Sequence, residues 1–230
     1  MRAADIIVQS LKAHGIKRVY CVPGESYLSL LDALHESGID VVVCRHEGGA
    51  GFMACADAKL TGEPAVFMVS RGPGATNASI AVHMADQDGL PVILLVGQVS
   101  REERTRGVLQ EGDYDRFFGG MAKGVFEIND GRKLHEILPR SFRLARQGIP
   151  GPVVLSLPED MLDDAVDAKE PVVFPLATVG VSPSDLTRIQ QYIDASERPV
   201  LVVGGALRTA VGKAAIERFA EAQRIPVAVT

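Results

Sequence analysis

Short runs of consecutive apolar residues alternate along the chain with longer stretches in which apolar residues recur every three or four positions. The runs have the length and β-branched content of buried strands, and the longer stretches have helical periodicity. The predicted strands cover residues 19–22, 41–44, 65–69, 92–96, 124–128 and 152–157. The predicted helices cover residues 3–14, 27–35, 47–60, 73–84, 114–118 and 132–146. This alternation indicates a doubly wound α/β fold, with a mostly parallel sheet and helices on both faces.

The pattern changes near residue 165. Residues 1–165 are predicted to form the first domain, and residues 166–183 contain three prolines and are typical of a linker. Residues 184–230 then show a single strand–helix–strand pattern. One such unit cannot cover both faces of its own sheet. We therefore expect the last segment to be the truncated start of a second, Rossmann-like α/β domain.

Composition and charge narrow the classes of function. The net charge is −5, no basic run or Trp is present, and aromatic residues make up 5%, so a nucleic-acid partner is not expected. No apolar run approaches the ~20 residues of a membrane span. Cys21, Cys44 and Cys55 form no CxxC pair, which disfavours a zinc site or a disulfide framework. Free thiols favour a reducing, cytoplasmic location.

Three loops follow the carboxyl ends of predicted strands, where doubly wound sheets bind their ligands. Taken singly, each resembles an ordinary turn in which Pro begins a helix and Gly eases the bend. The third lacks the Gly-Lys-Ser/Thr of a P-loop and the last glycine of a dinucleotide fingerprint. All three in order indicate a binding site: Val22-Pro23-Gly24-Glu25-Ser26, Arg45-His46-Glu47-Gly48-Gly49 and Ser70-Arg71-Gly72-Pro73-Gly74-Ala75-Thr76-Asn77.

Glu47 stands at the head of a predicted helix and is followed by Gly48, Gly49 and Gly51. Each glycine costs the helix roughly 1 kcal/mol relative to alanine. Bare backbone beside the carboxylate would let a flat or bulky ligand approach. We therefore predict a cofactor-facing acid, and the alternative is a glutamate that only stabilises the helix N-terminus.

These loops, with Leu90-Pro91-Val92, Gln110-Glu111 and Gly148-Ile149-Pro150-Gly151-Pro152-Val153, resemble the thiamine diphosphate-dependent 2-oxo-acid decarboxylase and carboligase family. The similarity is to its N-terminal pyrimidine-binding domain, acetolactate synthase-like, and covers essentially the whole chain. It implies an enzyme that decarboxylates a 2-oxo acid and ligates or transfers the acyl carbanion. It also implies thiamine diphosphate and Mg²⁺ as cofactors, FAD as an option in the central domain, and a homodimer or homotetramer.

The resemblance assigns roles to residues of this chain. Glu47 matches the glutamate that contacts N1′ of the cofactor's aminopyrimidine and shares a proton with it. Gln110 and Glu25 match positions on the substrate side. The positions that match the pyrimidine pocket are Pro23, Gly24, Gly72, Pro73 and Asn77.

The sequence departs from the acetolactate synthase pattern at several positions. Glu25 stands where those enzymes usually have Gly, Leu109 replaces Phe before Gln110, and Arg71 replaces a more usual Ser. These differences leave the substrate open. Lys123 matches either a substrate-side lysine or an ordinary surface lysine.

The family binds Mg²⁺ and diphosphate through a Gly-Asp-Gly…Asn motif in its C-terminal domain, and this sequence contains no such motif. We therefore expect an N-terminal fragment that holds the pyrimidine half of the site and no metal ligands. Two alternatives stay open. One is a non-catalytic α/β module that binds thiamine or a partner, and the other is a nucleotide-binding protein acting through Gly204-Gly205.

Overall fold

The computed structural model describes residues 1–205 and 209–230. The chain divides into two units, Met1–Leu176 and Ala177–Thr230, and the division falls within the segment 166–183. The sequence also predicts a turn after Gly204-Gly205, and residues 206–208 lie outside the described residues. The cofactor-binding roles of the two units stay predictions.

The first unit alternates helices and strands as the hydrophobic pattern predicts. Within its described residues, the six strands form one sheet in the order β2-β1-β3-β4-β6-β5, and all neighbouring strands are parallel. The doubly wound α/β fold is thus confirmed. The elements are α1 (Ala3–Ala13), β1 (Arg18–Cys21), α2 (Leu28–Leu34), β2 (Asp40–Val43), α3 (Glu47–Thr61), β3 (Ala65–Val69), α4 (Gly72–Gln87), β4 (Val92–Gln98), α5 (Tyr114–Phe118), β5 (Gly124–Glu127), α6 (Leu134–Arg146) and β6 (Val153–Pro158).

Several boundaries differ from the predicted ones because tertiary contacts decide them. The helix predicted to start at Tyr27 is preceded by a 3-10 turn, Glu25–Tyr27. A second 3-10 turn, Gly131–Lys133, precedes α6, and a third, Glu159–Asp163, follows β6. Strand β4 continues to Gln98 because its last residues pair with β6.

Two buried layers cover the sheet. Alternate residues of β3 illustrate the division, since Val66 and Met68 belong to one layer while Phe67 and Val69 belong to the other. The first layer is completed by side chains of α1, α2 and α6, and the second by side chains of α3, α4 and α5. Both faces of the sheet are therefore withdrawn from water, as a parallel sheet requires.

Helices α3 and α4 lie unusually close together in the second layer. A Cβ at Gly51 would overlap the Cβ of Ala81 and would come within 3.1 Å of the Phe67 ring. Most of the other buried positions on these helices are also small, among them Ala50, Ala54, Ala58, Ala78 and Ala85. Small side chains let the two backbones approach, and this approach brings the first residue of α3 beside the start of α4.

The second unit contains α7 (Pro183–Asp194), β7 (Leu201–Val203), α8 (Ala210–Gln223) and β8 (Val227–Val229). Strands β7 and β8 pair in parallel. Their order, strand–helix–strand, is the one that the sequence predicts. In neither unit does a described helix have the length and apolarity to cross a bilayer.

Gly51→Ala tests the close approach of α3 and α4. The added methyl group has no space, and overpacking costs about 1–3 kcal/mol, more than the ~1 kcal/mol that Ala gains over Gly in a helix. We therefore expect the free energy of unfolding to fall, as measured by urea denaturation.

Gly49→Ala is the matched control, because it lies on the same helix and a Cβ there would meet nothing within 4 Å. We expect this variant to be as stable as the wild type or more stable by up to about 1 kcal/mol. Equal stability of the two variants would contradict the tight packing at Gly51.

Candidate functional site

The loops after β1 and β3 are in contact, although the helices that follow these two strands pack on opposite faces of the sheet. Helix α2, which follows β1, belongs to the first layer, and α4, which follows β3, belongs to the second. A Cβ at Gly24 would lie 2.6 Å from the Cβ of Ser70, and the hydroxyl groups of Ser26 and Ser70 are 3.1 Å apart. Such a switch point, at the carboxyl ends of the strands, is where α/β sheets bind ligands.

Glu47 is the first residue of α3 and is half-buried. The preceding residue caps the helix, since Nδ1 of His46 accepts a hydrogen bond from the Gly48 N–H at 3.0 Å. The Asn77 side-chain amide donates to Glu47 Oε2 at 2.9 Å. Among the described residues, no hydrogen bond reaches Oε1. Asn77 thus orients the carboxylate through Oε2, and Oε1 is left available to a ligand.

The glycines near Glu47 have different roles. A Cβ at Gly74 would be 3.6 Å from Glu47 Oε1, and a Cβ at Gly49 would enter open space. Gly74 thus leaves bare backbone beside the carboxylate, and Gly49 leaves its own surface of the helix open. Gly51 does not, because it faces Ala81 of α4. The expectation that all three glycines after Glu47 serve a ligand was therefore wrong for Gly51, which serves helix packing.

Gln110 reaches the site through its backbone. Its carbonyl oxygen accepts a hydrogen bond from the Gly72 N–H at 3.0 Å, while its side chain is exposed. Gln110 adopts φ = 66°, a left-handed conformation that is uncommon for a residue with a side chain. Pro23 is exposed in the first loop, and Pro73 is exposed in the first turn of α4. The structure thus brings the Gln110 backbone to the third loop, while its side-chain amide forms no hydrogen bond to the described residues.

Arg71 is a residue whose position the sequence reasoning did not use. Its side chain is only 13% exposed, and it forms ion pairs with Glu159 and with Glu25, the latter at 3.7 Å. Glu25, in contrast, is 74% exposed. The signal was present in the sequence, because an arginine two residues after a fully buried strand stands at the carboxyl end of the sheet.

A second cluster, which sequence reasoning also missed, organises the loop between β4 and α5. The Arg104 guanidinium donates to both carboxylate oxygens of Glu127 at 3.0 and 2.9 Å and also pairs with Glu111. Glu111 accepts backbone hydrogen bonds from Thr105 at 2.6 Å and Gly107 at 3.0 Å. The backbone hydrogen bond from Thr105 is the largest of the influences that together lower the pKa of Glu111. The carboxylate of Glu111 therefore organises the loop that carries Gln110.

Lys123 does not belong to the site. It precedes β5, at the amino end of the sheet, and its Nζ donates to the carbonyl oxygens of Gln147 at 2.6 Å and Ile149 at 2.8 Å. Burial lowers its pKa. Lys123 is therefore neither a substrate-side lysine nor an ordinary surface lysine, because its hydrogen bonds stabilise the turn before β6.

No metal site accompanies these residues in the part of the chain that the structure describes. Among residues 1–205 and 209–230, no group of three or more His, Cys, Asp or Glu side chains is placed to hold a metal ion.

Comparison with known proteins identifies the family. Residues 1–117 of the 230-residue chain match the family described as "Thiamine pyrophosphate enzyme, N-terminal TPP binding domain". The chain belongs to the thiamine pyrophosphate enzyme family. The membership expected from the three loops is thereby confirmed, and all three strand-end loops, including Glu47, lie inside the matched range.

The curated relatives of this thiamine pyrophosphate enzyme domain include acetolactate synthases. The isozyme 3 large subunit of Escherichia coli K12 is 35% identical over 236 residues, covering 99% of this chain and 41% of that protein. The catabolic acetolactate synthase of Raoultella terrigena is 32% identical over 202 residues, covering 87% of this chain and 36% of that protein. The chain spans less than half the length of these relatives.

A solved structure shares the fold. The thiamine diphosphate-dependent 4-hydroxybenzoylformate decarboxylase of Rhodococcus jostii RHA1 superimposes with a TM-score of 0.93. The alignment covers all of this chain and 44% of that one, at 21% sequence identity. The similarity supports the architecture of the thiamine pyrophosphate enzyme domain described above.

Glu111→Gln is expected to loosen the loop that carries Gln110. Because the pKa of Glu111 is lowered in the folded protein, its contribution is complete above the unfolded value, about 4.3, and is lost as the pH falls through the lower folded value. Amide-exchange protection factors for residues 105–110 should therefore decrease on acidification in the wild type. In the variant they should be low at neutral pH and should change little with pH.

Glu102→Gln, an exposed position in the same loop, is the control and should behave as the wild type. Unchanged protection in Glu111→Gln at neutral pH would show that this carboxylate does not organise the loop.

Proposed function

We propose that this chain is the N-terminal, cofactor-activating part of a thiamine diphosphate-dependent enzyme that decarboxylates a 2-oxo acid and ligates or transfers the acyl carbanion, in the manner of an acetolactate synthase. The single observation that carries the proposal is the placement of Glu47 at the strand ends, with one carboxylate oxygen hydrogen-bonded to Asn77 and the other without a partner among the described residues. When bound, thiamine diphosphate supplies a carbon nucleophile and an electron sink for decarboxylation.

The residues around Glu47 fit an aminopyrimidine ring. Oε1 is free to hold a proton against a ring nitrogen, and Asn77 keeps the carboxylate oriented. Gly74 has no side chain to block Oε1, so bare backbone adjoins this oxygen. In this proposal the ring also meets the loops after β1 and β3, at Pro23, Gly24, Gly72 and Pro73.

Substrate handling is assigned to the polar groups at the same strand ends. Glu25 and Gln110 lie on the loops that border Arg71 and Gly72, and we propose that they face a 2-oxo acid. Mg²⁺ and the diphosphate group are assigned to the remaining part of a longer protein, and FAD, if the enzyme uses it, to its central domain. The free cysteines Cys21, Cys44 and Cys55 support the cytoplasm as the proposed location.

We further propose a homodimer, alone or within a homotetramer, that forms over the outer face of α3 and α4. Phe52, Met53 and Leu60 of α3 and Ile80 of α4 are large apolar side chains that are exposed on this face. Leu60 is 87% exposed. Grouped apolar side chains of this kind mark association surfaces, and this face adjoins Glu47 and Asn77.

Glu47→Gln tests the catalytic assignment in the longer enzyme that contains this chain. The amide preserves size but cannot share a proton as an acid does, so turnover of a 2-oxo acid should fall by about 10²–10⁴-fold. The circular dichroism spectrum and the urea midpoint should be unchanged. Turnover close to that of the wild type would reject the role of Glu47.

Glu136→Gln, an exposed carboxylate on α6, is the matched control and should retain full turnover. Calorimetry of the 230-residue chain with thiamine diphosphate and Mg²⁺ separates the proposal from a non-catalytic binding module. Magnesium-dependent binding in the micromolar range by this chain alone would favour the binding module.

Leu60→Glu combined with Ile80→Glu tests the association surface. Sedimentation equilibrium should show self-association of the wild-type chain, and the two added charges should weaken its dimerisation by at least about tenfold because they would be buried unpaired. Val179→Glu adds one charge at an exposed apolar position elsewhere and should leave association unchanged. A double variant that associates like the wild type would exclude this face.

A further inference from the structure

The guanidinium of Arg71 has more hydrogen-bond donors than its surroundings use. Nη2 donates to Glu159. Nη1 is 3.7 Å from Glu25 Oε1, beyond hydrogen-bonding distance. Nε is buried and has no partner among the described residues. An arginine carries five N–H donors and stays charged, so this largely buried cation is incompletely satisfied.

Such a group calls for an anionic acceptor. Buried polar groups are nearly always hydrogen-bonded, and those that are not require an explanation such as a missing ligand. The planar fork of a guanidinium matches the two oxygens of a carboxylate, which it binds through two parallel charge-assisted hydrogen bonds. The chemistry of Arg71 therefore selects a carboxylate over a neutral or cationic group.

The position of Arg71 connects it to the site described above. Arg71 belongs to the loop after β3, and each of the other site elements touches this loop. A Cβ at Gly24 would meet Ser70, the Gly72 N–H binds the Gln110 carbonyl, and Gly74 faces Glu47 Oε1. A carboxylate held by Arg71 would thus lie at the same strand ends as Glu47.

The two acidic partners of Arg71 differ in character. Glu159 is hydrogen-bonded to the guanidinium and is 34% exposed. Glu25 is 74% exposed and is held only by the long ion pair. A solvated carboxylate at that distance contributes little binding free energy, and displacing it leaves no charge buried without a partner. Glu25 is therefore the partner that an incoming anion replaces.

We propose that Arg71 binds the carboxylate of the substrate, that Glu159 holds the guanidinium in place, and that Glu25 occupies the position until the substrate displaces it. The identity of that carboxylate as part of a 2-oxo acid rests on the proposed function. Arg71 is then a specificity-determining residue that neither the family match nor the sequence pattern assigns.

The test follows the Arg71 side chain directly. The 230-residue chain is labelled with [¹⁵N]arginine, and the Nε–H resonance of Arg71 is assigned by its loss in Arg71→Gln. The chain is titrated with 2-oxobutanoate and, separately, with the neutral 2-oxobutanamide. We expect a saturable shift of the Arg71 resonance with the acid and none with the amide. Arg71→Gln should bind the acid more weakly by about tenfold or more, measured by ligand-observed NMR.

Two further variants keep the result interpretable. Glu25→Gln leaves Arg71 intact and removes the carboxylate that competes with the ligand for it. This variant should therefore bind 2-oxobutanoate about two to five times more tightly. Arg116→Gln, an exposed arginine on α5, should bind as the wild type. If Arg71→Gln does not fold, the Glu25→Gln titration decides the matter.

An unshifted Arg71 resonance, equal binding of acid and amide, or weaker binding by Glu25→Gln would each overturn the inference. The titration contains no thiamine diphosphate, so its result does not depend on Glu47. Failure here would leave the proposed function standing, and failure of the Glu47→Gln test would leave carboxylate binding at Arg71 standing.

Discussion

The close packing of α3 against α4 is the constraint on which the arrangement of the site depends. Gly51 has no side chain, and Ala81 opposite it is buried, so the two backbones approach more closely than larger residues would permit. The first residue of α3 consequently reaches the second turn of α4, where Asn77 hydrogen-bonds Glu47. Separation of the helices at Gly51 would remove the partner that orients this carboxylate.

Ion pairs, rather than apolar contacts, fasten the loops beyond the strand ends. Arg71 follows β3, and Arg101 and Arg104 follow β4. Most of their acidic partners lie at the end of β5 or just after β6. The other two, Glu25 and Glu111, lie in the loops after β1 and β4. Glu47 differs from these acids, because its hydrogen-bond partner within the described chain is the neutral amide of Asn77. A cation in that place would stabilise the charged carboxylate, whereas an amide orients it and leaves its charge uncompensated.

The sequence predicted the strands and helices well where local pattern and packing agree. Strand β3 and helix α5 have the predicted ends, since β3 is a continuous apolar run that stops at a polar loop. Strand β4 is longer than predicted because its last residue, Gln98, is buried by pairing with β6. Lys123 was misjudged for a similar reason, as its partners are carbonyl groups of a distant turn. Contacts between residues far apart in sequence do not show up in the hydrophobic period, so that pattern does not predict them.

By itself, the sequence determined the α/β alternation and the three loops at the strand ends, and it predicted Glu47 at the head of a helix as the candidate acid. Hydrophobic period and turn chemistry are local properties, so a single chain displays them without its fold. Only the tertiary structure decided that Asn77 holds one oxygen of Glu47, that Gly51 serves α4, and that a buried Arg71 stands between Glu25 and Glu159. These facts depend on distances across the sheet and between helices, which strand order and close packing set and which no local pattern encodes.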